Sequence, residues 1–195
     1  MKNQSFILRY FLPLTLGLGV FAFIVAKAII VQVTTDEAYT LSILTKVSVW
    51  DLVSYKDSYT NNHILHTLLV KLSFAIFGMD QVAGRLPNIL SFLLYFGFVW
   101  RYSQRFFSDD LVRFMFIAVM LGNPYMLEFF ALARGYGLSI GLMMASIYFA
   151  ARYIIEDDKR SLPISQVFAI LSVYAQFALL HFYLGINFLI FIFRF

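Results

Sequence analysis

Apolar runs as long as membrane helices alternate with short polar stretches along most of this chain, and one long polar interval interrupts them. The first run, from about Arg9 to Val33, predicts a helix that can cross a bilayer. Residues 34–86 follow, dense in charged and histidine side chains from Asp36 to Arg85. Hydrocarbon does not accommodate that density, so most of the interval is expected as a large loop. Membrane-helix patterning then resumes. Leu86–Tyr102, Leu111–Met126, Gly135–Ala151 and Leu162–Leu180 predict the second to fifth spans, and a sixth begins near Phe182.

Within the polar interval, the stretch from Ile64 to Gly78 is apolar but short. At about 1.5 Å per residue it reaches only about 22 Å, less than the hydrocarbon core of roughly 30 Å. His63, His66, Thr67 and Lys71 recur at helical spacing, with Leu65, Leu68, Leu69, Leu72 and Ile76 opposite. The pattern predicts an amphipathic helix lying in the interface, its polar stripe turned to water.

Composition narrows the class. Hydrophobic residues make up 61% of the chain and charged ones 13%, with a mean hydropathy of +0.78. A soluble domain carries about 25% charged residues, so an all-α, polytopic transmembrane bundle is expected. Its expected form is five complete spans plus a truncated sixth. The sixth stops at Phe195, too short to cross, which predicts that 1–195 is the N-terminal part of a longer chain. The first span is too long for a signal-peptide core and is read as uncleaved. No basic cluster resembles a nucleic-acid footprint, and the absence of cysteine excludes disulfides. With 64–78 kept out of the membrane, Lys2, Arg9, Arg101, Arg105, Arg113, Arg152, Lys159 and Arg160 fall on one side. The positive-inside rule then puts the N-terminus in the cytoplasm and loop 34–86 on the outer face, periplasmic or extracellular, of the cytoplasmic (inner) membrane.

That topology gathers the chemistry-bearing groups of the outer face: Asp36, Glu37, Asn62, His63, Arg85, Glu128, Arg134 and His181. A boundary carboxylate, Asp36 or Glu37, suits a general base. Arg85 and Arg134 offer fixed cations with planar donor forks suited to phosphate. His63 and His181 are candidates for a divalent metal or a phosphate hydrogen bond, although no cofactor is demanded. Each residue has a plainer reading. The acidic pair can simply solvate the loop, and Arg85 before Pro87 can anchor a helix that Pro87 opens at its first turn. His181 can be an ordinary boundary histidine. Gly137-x-x-x-Gly141 reads as helix packing.

The ordered set Asp36-Glu37, Asn61-Asn62-His63-Ile64-Leu65, Gly84-Arg85-Leu86-Pro87 and Ala133-Arg134-Gly135-Tyr136-Gly137-Leu138 resembles the GT-C membrane glycosyltransferases. The nearest groups are bacterial relatives of protein O-mannosyltransferases and the transferases that decorate lipopolysaccharide and lipid A. The resemblance implies transfer of a sugar from a polyprenyl-phosphate donor to a lipid, glycan or protein acceptor, with inversion. Asp36 then matches the catalytic base and Glu37 a helper in acceptor placement. Arg85 matches a loop-end arginine facing the lipid phosphate, with Arg134 and His63 as further phosphate candidates and Asn62 in the substrate pocket. The family's His-Pro-Pro stretch is His63-Ile64-Leu65 here. His181-Phe182-Tyr183 is loosely similar to a Thr-His-Tyr stretch whose histidine approaches a metal, with Leu180 in place of the threonine. The competing readings are a non-catalytic membrane protein of the same architecture, an assembly partner or flippase-like scaffold, and more distantly a transporter. Against the transporter, no charge is expected at mid-membrane.

Overall fold

The computed structural model describes residues 6–56 and 63–194, and these are mostly helical, with no strand among them. A single π-type turn, Ile7–Phe11, runs into α1, Leu12–Ile30. Short helices α2 (Thr35–Ser42) and α3 (Val49–Val53) follow, joined through a 3-10 turn at Leu44–Lys46. Next come α4 (Ile64–Phe77), α5 (Gln81–Phe106), α6 (Asp110–Leu121), α7 (Pro124–Phe130), α8 (Gly135–Glu156), α9 (Ser161–Ala175) and α10 (Leu180–Arg194).

Among the described residues, four helical stretches are long and apolar enough to cross a membrane: Ile7–Ile30, Gln81–Phe106, Gly135–Glu156 and Phe177–Arg194. The pair α6 and α7 makes a fifth if its 65° bend is counted within one span. The expected third span is therefore broken. Asn123 accepts from the N–H groups of Tyr125 and Met126, and Pro124 cannot continue the preceding helix, so a new helix starts there. The expected fifth span, Leu162–Leu180, also breaks. Its helix ends at Ala175, extended Gln176 follows, and a 3-10 turn leads into α10.

Charged contacts define two ends. At one, Arg9 binds Gln104, Arg105 and Arg152 bind Glu156, and Arg194 pairs with Asp157. At the other, Lys27 pairs with Glu128 at 2.5 Å, Arg85 with Glu37 and Arg134 with Asp36. The core lies between, where Phe92, Tyr95 and Val99 of α5 meet Ile24 and Ala28 of α1, Ile117 of α6, Phe130 of α7 and Ala145 of α8. The most apolar window of α5 is 61% buried and that of α8 50%, against 22% for α1 and 11% in the last helix, so α5 and α8 form the centre. A Cβ at Gly141 would stand 2.8 Å from the Ser91 carbonyl of α5 and one at Gly137 2.6 Å from the Phe129 carbonyl, which explains the glycine spacing as close packing. Ser146 and Ser165 bond across the α8–α9 contact.

Helix α4 has the opposite orientation to the one expected. His66, Thr67, Val70 and Ser73 are buried, and Leu72, Ile76 and Phe77 are exposed. Lys71 reaches the carbonyls of Thr45 at 2.9 Å and Val47 at 2.6 Å. The polar stripe is turned into the protein, where Lys71 and Ser73 bond to carbonyls, and the apolar side faces outward, as suits a helix bordered by lipid. Pro87 also departs from expectation, because α5 begins six residues earlier, capped by Asp80. An interior proline leaves the carbonyl four residues back without its helix partner. Ser73 fills that gap by donating to the Ala83 carbonyl at 2.6 Å.

Candidate functional site

At the end holding Glu37 and Arg134, four segment starts converge. α1 ends at Ile30, and extended Val31–Val33 leads to Thr34, which opens α2 with a capping box. Thr34 accepts from the Glu37 N–H, and the Glu37 carboxylate accepts from the Thr34 N–H at 3.0 Å. The acidic pair therefore sits in the first turn of a helix, where the helix dipole favours negative charge.

The deeper layer is a closed network. Arg85 donates Nε and Nη2 to the two Glu37 oxygens, each at 2.8 Å, with both side chains fully buried. Nη1 donates to the carbonyls of Ala28 and Val31 at 2.8 and 2.7 Å, and Nη2 also reaches Gln32 at 3.3 Å. Gln81, one turn earlier, donates to Ala28 and Val31 as well. These are the carbonyls that the end of α1 leaves unpaired, so a cation there caps the helix. Glu37 also accepts from the Ala133 N–H at 2.6 Å. Burial alone would raise the Glu37 pKa, but the Arg85 bonds and the N–H groups of Ala133 and Thr34 hold it below the ordinary glutamate value. Asn88 completes the layer. Its amide donates to the carbonyls of Phe129, Leu132 and Arg134, and its oxygen accepts from the Leu138 N–H at 3.0 Å.

The shallower layer is open. The Asp36 side chain is 42% exposed, and one oxygen lies 3.0 Å from Nη2 of Arg134. The Arg134 guanidinium lies over the Tyr136 ring, 4.9 Å from its centroid, and Tyr136 stacks on Phe129. The His63 ring meets the edge of Tyr136 at 5.7 Å. Arg134 Nε, His63 Nε2, both ring nitrogens of His66 and Thr67 Oγ1 are buried without a hydrogen-bond partner. Buried polar atoms nearly always have a partner, so this group marks a place suited to an exchangeable occupant. Burial, then the charge of Arg134, pushes His63 down to about 4, with Asp36 opposing. Burial, then His63, pushes His66 down to about 3. Both rings are therefore neutral near pH 7.

Gly135 holds the convergence together. A Cβ on it would meet the Ala175 carbonyl at the end of α9 and lie 2.8 Å from Cγ of His63. Only a residue without a side chain lets α4, α8 and α9 meet here.

No family model, curated protein or solved structure matches the chain.

The residues singled out in the sequence thus fall into separate groups. Asp36, Arg134 and His63 come together. Glu37 and Arg85 form the buried support, and Arg85 sits in the second turn of α5 rather than at a loop end, with every N–H used within the protein. His181 is exposed at the start of α10, with Nδ1 3.3 Å from the Ala178 carbonyl. Among the described residues no three His, Asp or Glu side chains gather to hold a metal. Asn62 lies outside the described residues. His66, Thr67, Gln81 and Asn88 were not anticipated as site residues. The i, i+4, i+7 series Gln81, Arg85, Asn88 was the available signal, three long polar side chains on one face of a helix otherwise apolar.

Proposed function

We propose that the chain is a membrane glycosyltransferase of the GT-C kind, moving a sugar from a polyprenyl-phosphate donor to an acceptor on the outer face of the cytoplasmic membrane. The observation that supports it best is the open ion pair of Asp36 and Arg134, lying at one end of the bundle over buried polar atoms that lack protein partners. In this reading Asp36 takes the proton from the acceptor hydroxyl as its oxygen attacks the anomeric carbon. The bond from that carbon to the phosphate oxygen breaks, and its electron pair leaves with the polyprenyl phosphate. Arg134 stabilises the charge growing on that phosphate, using Nη2 released from Asp36 and the unpartnered Nε. Arg134 takes the phosphate role over Arg85 because Arg85 has no donor to spare. Neutral His63 and His66 and the Thr67 hydroxyl supply further hydrogen bonds without adding charge.

The test is transfer from a panel of polyprenyl-phosphate-linked hexoses and pentoses by membranes carrying the full-length protein. Asp36→Asn is expected to lower transfer by a factor of about 100 to 10,000, the usual worth of a general base. Transfer unchanged in Asp36→Asn would overturn the role given to Asp36, and transfer no greater than in membranes lacking the protein would instead support the non-catalytic membrane partner.

A further inference from the structure

The opposite end of the bundle carries a second site. A cleft of about 560 Å³ is lined by Gly97, Trp100, Arg101, Gln104 and Arg105 of α5 and Tyr148 of α8. The α5 residues recur at helical spacing, so they form one face. Its charge is unbalanced. Arg105 is engaged with Glu156, at 2.5 and 3.0 Å, and Glu156 is also shared with Arg152. Arg9 joins the rim through Gln104. Arg101 packs over the Phe98 ring at 5.4 Å, and among the described residues no carboxylate lies within 4 Å of it. Gly97 leaves a gap one turn above Arg101, since a Cβ there would meet nothing within 4 Å. Beyond the cleft, on the same face of α5 by helical spacing, Leu93 and Leu90 are about half exposed, and Leu90 borders a separate apolar cleft against α4.

We propose that this cleft binds an anionic phospholipid, its phosphate on Arg101 and Gln104 and an acyl chain along Gly97, Leu93 and Leu90. Three features select a lipid over a soluble anion. The cation stands where an apolar helix face ends, the aromatic rings of Trp100 and Tyr148 flank it as at a membrane interface, and exposed leucines continue along the same face of α5. An anionic headgroup supplies the charge that Arg101 lacks. The proposal rests on the membrane character of the helices alone and is independent of the transferase reading.

The experiment measures phospholipid retained by the full-length protein after detergent extraction from vesicles of phosphatidylcholine doped with phosphatidylglycerol, read by native mass spectrometry. The wild type is expected to retain phosphatidylglycerol over phosphatidylcholine, and millimolar inorganic phosphate should not displace it. Arg101→Gln should cut retention about tenfold, the order expected for a charge-assisted phosphate contact. Gly97→Leu fills the groove without altering charge or weakening the helix, and should cut retention equally. Arg160→Gln, an exposed cation at the same end, should not. Equal losses in Arg101→Gln and Arg160→Gln, full retention in Gly97→Leu, or displacement by phosphate would each overturn the proposal.

Discussion

Asp36 and Glu37 are neighbours in the chain yet sit in different environments. Glu37 turns inward, where two guanidinium bonds and two backbone N–H groups compensate its burial. Asp36 turns outward to a cation that is itself incompletely bonded. Removing one member of a buried pair leaves an uncompensated charge, so Glu37→Gln should lower stability by about 3–5 kcal/mol, measurable as a fall in the detergent unfolding transition. The acidic dipeptide was visible in the sequence as an unusual feature. Which member faces out was not, because the answer depends on Arg85 and Ala133, 48 and 96 residues away.

Helix α4 shows how a membrane protein reverses a familiar rule. A stripe of polar residues on an apolar helix reads the same whether it meets water or other polar groups. The sequence did hold a hint, since His66, Thr67 and Ser73 are neutral and compact, and Lys71 is the one permanent charge on the stripe. Such groups suit internal hydrogen bonding when hydrocarbon lies on the other side. The extent of α5 is also hidden in the sequence, because Pro87 reads as the opening of a helix that in fact begins at Gln81. The Ser73 hydroxyl that serves the Ala83 carbonyl belongs to another element. Ser73→Ala should cost about 1–3 kcal/mol by leaving that buried carbonyl unpaired, whereas Ser42→Ala, at an exposed helix end, should change the melting temperature little. Gly135→Ala should separate α4 from the start of α8. Expected is a site-specific loss of transfer and faster hydrogen exchange at the Arg134–Leu138 amides, measured by mass spectrometry.

Over the whole molecule, polar chemistry is divided between two ends with an apolar bundle between them, and this division was largely legible from hydropathy and charge. The breaks in the third and fifth expected spans were less so, because Asn123-Pro124 and Gln176 interrupt runs whose average hydropathy stays high. As pH falls from neutrality, acid should act first at the end that holds the buried histidines. His63 and His66 have folded pKa values below the ordinary 6.5, so the unfolded chain takes up protons first as pH falls. Stability should be level above pH 6.5, then decline through the range down to about 4 for His63 and about 3 for His66. Glu37, whose folded pKa is lowered, adds a loss of the same sign below its ordinary value of 4.5. A melting-temperature series across that range checks this, and a His63→Asn, His66→Asn double variant should flatten its upper part. In the proposed transferase, two ion pairs at this end divide the work, Asp36 with Arg134 for reaction and Glu37 with Arg85 for support. The most direct measurement is transfer from a polyprenyl-phosphate-linked sugar and thermal stability, taken together on Asp36→Asn and Glu37→Gln. Asp36→Asn is expected to keep its melting temperature and lose transfer, while Glu37→Gln loses stability. Transfer retained at the wild-type rate in a folded Asp36→Asn protein would contradict this division.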